Sequence, residues 1–341
     1  RGLKNDTGEN NCFLNVTIQA LWHLGPFRNM KGRERTGSIR IPAGGILEAL
    51  CNLFMQYEFT DLDVLPATEL RESLSLLSNS FQLGEYADAC EAFDTILQRI
   101  HLELCSACPH TYKCLSHEVF GGCIMEQSVC SFCQASSEPT VRSDFILCFQ
   151  AAELLLEAKA LFAKSSQTFE EGARSDIHTT NNNTHSTTAH SNGNTGRPTS
   201  YYHCRGKATV HQYSLDPPLA LVLSIGWTQE RESTQTLQDF YALIAYSIQL
   251  SDIFRNGGSS SASTSGGTSN SNPSYVFRGL VCYYGKHYVS IFQSRAAELH
   301  EYLLFDDHRV INIGSWEAVK QKCVKSCYQP VLLLYELEAD M

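Results

Sequence analysis

An α+β fold is predicted by a change of apolar rhythm along the chain. The first third carries apolar residues at helical spacing, and the last third carries short β-type runs parted by turns. With 341 residues, 43% of them hydrophobic and 18% charged, the chain can bury a large core in one or two domains. It holds 26 Lys and Arg against 36 Asp and Glu, a net charge of −10. That balance argues against a nucleic-acid binder and suits a neutral or basic partner. No run of about eighteen apolar residues is present, so membrane insertion is not expected, and no signal peptide is visible.

The elements follow in order. A polar stretch rich in Asn, Asp and Gly (2–11) leads into an apolar pattern holding Phe13, Leu14, Ile18, Leu21 and Trp22. It fits a helix over 12–25, closed by Gly25-Pro26. Helices are also predicted over 45–57, 67–78 and from about 85 to 103. In the last, Asp88 and Glu91 stand three apart on one helix face, which is either a solvated acidic face or a carboxylate pair for a cationic ligand. Spacing alone leaves both readings open.

From 104 the chain is dense in cysteine, with Cys105-Ser106-Ala107-Cys108 and Cys130-Ser131-Phe132-Cys133. Two such pairs have the spacing of zinc knuckles. Either they share one ion, or Cys130 and Cys133 pair with His203-Cys204, or the thiols are unmetallated. Two polar stretches, about 165–200 and 256–274, lack apolar periodicity and are predicted to be disordered insertions. Between them, 219–227 reads as a buried strand and 235–254 as a mixed helical pattern. From 275 the pattern is strand (275–284), a Gly285-Lys286 turn, strand (287–292) and strand (302–307). A helix around 316–325 and a closing strand over 331–335 end the chain.

Cys12 sits where the polar turn meets the first helix. Free N–H groups and the positive end of the macrodipole favour a thiolate at such a position, and a thiolate is a nucleophile. By position alone Cys12 is equally one buried thiol among fourteen. His287, opening a strand after a tight turn, supplies the imidazole that a catalytic thiol needs. Asp306, ending a neighbouring strand, supplies a group to hold the ring's tautomer. Fourteen cysteines scattered through a large chain, one of them a free nucleophile, fit a reducing cytoplasm or nucleus better than a disulfide framework.

These residues carry a resemblance to the ubiquitin-specific proteases. Gly2, Leu3, Asn5, Cys12, Phe13, Asn15, Gln19, Leu21 and Trp22 resemble that family's Cys box. Tyr275 with Gly285-Lys286-His287-Tyr288 is similar to its His box, and Phe305-Asp306-Asp307 with Val310 to its acidic box. Gln329-Pro330 followed by Val331 to Tyr335 matches the closing strand, and Asp88-Ala89-Cys90-Glu91-Ala92-Phe93 a further segment. The likeness covers nearly the whole chain outside the two insertions. The chain begins with Arg and is read as the catalytic region of a longer protein.

The resemblance implies a papain-like cysteine protease fold with thumb, palm and fingers in one catalytic domain over 1–341. The helical thumb would be 1–104, the fingers and the start of the palm 105–230, and the remaining palm 231–341. It implies that Cys12 is the nucleophile, His287 the base and then acid, Asp306 the orienting carboxylate and Asp307 an auxiliary polar group. Asn5 would donate to the oxyanion, with Asn10 or Asn11 as alternatives. Asp88, Glu91, Gln19 and Tyr288 would face the substrate. No cofactor is implied for catalysis, and a structural zinc would be held by Cys130, Cys133, His203 and Cys204. The implied partners are ubiquitin or ubiquitin chains on protein substrates, met by a monomer. Asn5 stands seven residues before Cys12 where most of the family has five, and Val16 replaces a common Ser. The longer turn resembles a divergent branch that includes plant ubiquitin hydrolase-related proteins and animal members often labelled inactive. The alternative function is therefore a ubiquitin-binding module with weak or no turnover.

Overall fold

Helix α1 (Cys12–His23) runs through the centre of the molecule, and every residue from Cys12 to Leu21 is buried. A helix that is apolar nearly all round needs packing on all sides, and α1 has it. The computed structural model describes residues 1–30, 32, 40–107, 114–130, 132–160, 208–254, 272–294 and 301–338. α1 ends at His23 with Leu24 in extended backbone, two residues short of the predicted end at 25. Pro26 stands in the first turn of a short second helix, α2 (Gly25–Arg28), where its missing N–H costs nothing. Around α1 pack α3 (Ile46–Phe59), α4 (Thr68–Ser75), α5 (Ala89–Ala107) and α6 (Leu115–Phe120).

The sheet elements are β1 (Gly2–Leu3), β2 (Val64–Leu65), β3 (Gly122–Cys130), β4 (Thr140–Asp144), β5 (Leu147–Gln150), β6 (Ala208–Asp216), β7 (Ala220–Gly226) and β8 (Ser247–Gln249). β9 (Ser274–Tyr284), β10 (His287–Gln293), β11 (Tyr302–Asp306), β12 (Arg309–Gly314) and β13 (Gln329–Leu337) follow. The main sheet has the order β12-β11-β10-β9-β13-β7-β5, with β8 paired to β9. A separate antiparallel sheet, β4-β3-β6, is formed by strands that lie in sequence between α6 and β7.

Period-two alternation places the main sheet between two cores. Tyr288 and Phe292 of β10, with Val281, Phe305, Leu332 and Leu334, pack against the helices. Val289 and Ile291 of the same strand, with Leu280, Leu304 and Leu333, face α7 (Thr234–Leu243) and α9 (Trp316–Lys325). α1 is aligned on the sheet at its far end. There the His23 ring stacks on Phe292 at 4.5 Å between centroids and lies 5.0 Å from Phe305.

Several expectations shift. The helix expected from about 85 starts at Ala89, because Asp88 caps it: Asp88 Oδ1 accepts from the N–H of Cys90 (2.8 Å) and Glu91 (2.9 Å). Within 235–254 the helical pattern is broken by β8 before a short α8 (Leu250–Ile253). β12 carries no alternating signal because Val310 and Ile311, on opposite faces of the strand, are both exposed and neither face is buried. The insertion over 165–200 lies outside the described residues. Of the stretch 256–274, residues 272–274 are among the described residues: Asn272 donates to Gln249 Oε1 at 2.7 Å, and Ser274 pairs with Gln249 in the sheet.

Candidate active site

The turn before α1 bends through left-handed backbone at Gly8 (φ +89°) and Asn10 (φ +53°). Asn is among the few side chains that accept that region readily. Asn10 Nδ2 donates to the Gly84 carbonyl at 2.6 Å, which docks the turn on the segment before α5. Asn11 occupies the N-cap position but its side chain does not cap the helix; it donates to Glu9 Oε2 at 3.0 Å. The first-turn N–H groups of α1, next to Cys12, are thus left without a side-chain acceptor.

His287 opens β10 after a two-residue hairpin turn with positive φ at both Gly285 (+53°) and Lys286 (+69°). Its Nε2 lies 2.7 Å from Asp306 Oδ1, at the end of the adjacent β11. That leaves Nδ1 for the Cys12 thiol. The pKa of His287 is pushed up to about 10 from its ordinary 6.5. The hydrogen bond to Asp306 is the main cause and the interaction with Cys12 the second, while burial opposes both. Asp306 is correspondingly held below the ordinary carboxylate range, chiefly by His287. A charged imidazolium between a carboxylate and a thiol is the arrangement in which a thiolate is available for attack. The structure therefore brings Cys12, His287 and Asp306 together from three separate parts of the chain.

Asp307, at φ +50°, joins the two halves of this site. Its Oδ2 accepts from Asn5 Nδ2 and its Oδ1 from Asn15 Nδ2, both at 2.8 Å, and its carbonyl accepts from Leu3 N at 2.9 Å. Asn5 also accepts from the Asn11 N–H at 2.9 Å. One hydrogen of the Asn5 amide is thus engaged away from any oxyanion. Gly2 of β1 allows the close approach: a Cβ there would fall 2.4 Å from the His308 carbonyl oxygen. Asn15 was not expected as a site residue. Its signal is a polar side chain, 2% exposed, inside an apolar helix.

A cleft of about 720 Å³ opens beside Cys12, lined among others by Asn10, Glu85, Asp88, Glu91, Lys286 and Tyr288. Asp88 is bound twice over. It caps α5 through Oδ1, and its Oδ2 accepts from the Tyr288 hydroxyl at 3.0 Å, across the cleft floor. Asp88 and Glu91 do not share a helix face, since Asp88 precedes the helix, yet both border the cleft. Gln19 does not reach it. Gln19 is buried on α1 and donates to the Arg1 carbonyl at 2.9 Å.

Of the expected zinc ligands, Cys130 ends β3 in a tight turn, with Gln134 N donating to its carbonyl at 3.0 Å, and Cys133 is exposed in that turn. His203 and Cys204 lie outside the described residues, as does Cys108. Cys105 sits beside His101, Sγ to Nδ1 3.3 Å. No disulfide joins the described cysteines. Among the described residues no helix is long and apolar enough to cross a membrane.

Comparison with known proteins places the chain in a family and a fold. The family model described as ubiquitin carboxyl-terminal hydrolase matches residues 1–335. The chain is 29% identical over 347 residues to ubiquitin carboxyl-terminal hydrolase 54 of Rattus norvegicus, covering 98% of this chain and 20% of that protein. It is 27% identical over 348 residues to ubiquitin carboxyl-terminal hydrolase 53 of Homo sapiens, covering 98% of this chain and 30% of that one. The chain thus spans under a third of the curated relatives it matches. In fold it is similar to the SAGA DUB module Ubp8/Sgf11/Sus1/Sgf73 bound to monoubiquitin, with TM-score 0.62 and 17% identity over 100% of this chain and 69% of that one. The same module bound to ubiquitin aldehyde gives TM-score 0.60 at 16% identity, covering 100% and 70%. The chain belongs to the ubiquitin carboxyl-terminal hydrolase family, and its fold is the thumb, palm and fingers of the ubiquitin-specific proteases.

Proposed function

We propose that the chain is a thiol-dependent deubiquitinating protease that cleaves the peptide or isopeptide bond after the C-terminal glycine of ubiquitin. The observation that carries this reading is His287 held between Asp306 and Cys12. In the first step the Cys12 thiolate attacks the glycine carbonyl carbon and its electron pair moves to the oxygen. The uncapped first turn of α1 supplies N–H donors to that oxyanion, joined by the second hydrogen of Asn5 Nδ2. Collapse expels the amine, which takes the proton held on His287, and leaves a thioester on Cys12. His287 then removes a proton from water, whose oxygen displaces the thiol and releases ubiquitin with a free carboxylate. Glu85, Asp88 and Glu91 give the cleft an acidic border suited to the arginines of the ubiquitin tail. Catalysis so written needs no cofactor. The proposal extends to a monomer working inside the cell.

The test is hydrolysis of a fluorogenic ubiquitin C-terminal amide. Turnover that disappears in Cys12→Ala is expected; turnover that survives it rules the reading out. One observation favours a second reading, a ubiquitin-binding module without turnover: Asn5 is tied to Asp307. Saturable ubiquitin binding with no hydrolysis at any pH would select it.

A further inference from the structure

At the opposite end of α5 from the cleft, four side chains with metal-ligating atoms converge. His101 and Cys105 stand four apart on α5, so they share a face of that helix. Cys114 is the N-cap residue of α6 and His117 lies in its first turn. The His101 Nδ1 is 3.3 Å from Cys114 Sγ and 3.3 Å from Cys105 Sγ, and Cys114 Sγ is 3.1 Å from His117 Nδ1. The ligating atoms of His101, Cys114 and His117 all lie within 4.8 Å of one another.

Protons alone serve this cluster poorly. One ring nitrogen meets two sulfurs, and one of those sulfurs meets two ring nitrogens. A hydrogen bond satisfies one such pair at a time, whereas a single cation at the shared centre satisfies them all. Zinc bonds of about 2.3 Å to sulfur and 2.0 Å to nitrogen, arranged as a tetrahedron, hold S and N ligands about 3.5 Å apart. The observed separations are within a few tenths of an ångström of that. Burial fits as well: Cys114 is 4% exposed, and Phe145 packs on the rings of His101 and His117 at 6.5 and 4.9 Å. A set of two sulfurs and two imidazoles, which fills all four tetrahedral positions, is the donor chemistry of a structural zinc and not of a catalytic one.

We propose that His101, Cys105, Cys114 and His117 form a Cys2His2 structural zinc site that staples the end of α5 to the start of α6. The site is separate from Cys130 and Cys133. Its two thiols lose their protons on binding, and a thiolate at the N-cap of α6 is further favoured by the helix end. Because α6 leads directly into β3, the ion would set where the three-stranded sheet leaves the helical part. The signal in sequence is a His-x3-Cys pair followed by a Cys-x2-His pair, two ordinary ligand spacings that fall on two different helices.

The test is metal content by mass spectrometry of the chain purified without chelator, compared with Cys114→Ser, His117→Ala and the double change Cys130→Ser with Cys133→Ser. Wild type is expected to hold at least one zinc per chain. One equivalent should be lost in Cys114→Ser and in His117→Ala and kept in the double variant. Zinc at the wild-type level in both single variants, or none in wild type, overturns the proposal. Where the single variants do not fold, cobalt incorporated during expression of the double variant decides instead. The visible bands of tetrahedral cobalt with thiolate charge transfer support the site, and their absence from folded, cobalt-grown protein contradicts it.

Discussion

His287 has two neighbours that both favour its protonated form. Asp306 is the stronger, so Asp306→Asn should bring the imidazole pKa from about 10 back toward 6.5, read by NMR titration of the ring. The same change should lower kcat by roughly 10³–10⁴, since the ring then loses both its orientation and its counter-charge. The pair also links stability to pH. A raised folded pKa makes the His287 contribution complete below 6.5 and removes it as pH rises toward about 10. A lowered folded pKa makes the Asp306 contribution complete above 3.8 and removes it as pH falls below that. The difference in Tm between wild type and His287→Gln should therefore be widest at about pH 4–6.5 and should close near pH 10. A difference that is flat across this range would show that the ion pair is absent. Asp307 acts differently, as the acceptor for Asn5 and Asn15. Asp307→Ala should cost roughly 1–3 kcal/mol of stability by denaturant melting, because the buried Asn15 amide loses its 2.8 Å acceptor and keeps only the Lys4 carbonyl at 3.3 Å. It should also cost up to about 100-fold in kcat/KM by loosening Cys12 against His287.

At the scale of elements, α5 begins where a carboxylate does two jobs, and two substitutions separate them. Asp88→Asn keeps a good N-cap but removes the charge from the cleft, so it should leave stability within about 0.5 kcal/mol of wild type while raising KM. Asp88→Ala loses the cap as well and should cost about 1–2 kcal/mol in denaturant melting. Equal stability of the two variants would remove the capping role. Asp88 also shows where sequence reading met its limit. The helical pattern of 85–97 is real in composition, but Asp is a better cap than interior residue, and the helix begins one residue after it. The hairpin that carries His287 was legible because period-two alternation and a Gly-Lys turn mark both its strands. β12 was not, for it lies at the sheet edge with neither alternation nor a buried face. β1 is too short to carry a pattern, and only the 2.4 Å approach to His308 explains why a glycine opens it. Gly2→Ala should displace the turn holding Asp306 and Asp307, and lower kcat more than it raises KM.

Across the whole molecule, Cys12 lies 275 and 294 positions before His287 and Asp306 in sequence, and the fold closes that distance by laying α1 on β10 and β11. Their residue types, order and local contexts were readable in the sequence. Their joining was not, because it depends on Asn15, whose polar side chain on a buried helix has meaning only once Asp307 stands opposite it. Gln19 shows the converse. Its place in a recognisable motif suggests a substrate contact, while in the fold it ties α1 to the Arg1 carbonyl. The acidic border of the cleft gives a property of the assembled molecule: KM for ubiquitin substrates should rise several-fold when ionic strength goes from about 0.05 to 0.5 M, as screening shortens the reach of Glu85, Asp88 and Glu91. An unchanged KM would show that the border does not attract the substrate. The most direct test of the central claim is reaction with ubiquitin bearing a thiol-reactive C-terminal group, followed by intact mass and peptide mapping. One ubiquitin joined to Cys12, with no adduct in His287→Ala, is the predicted result. No adduct from folded protein that still binds ubiquitin, or an adduct at another cysteine, would contradict it.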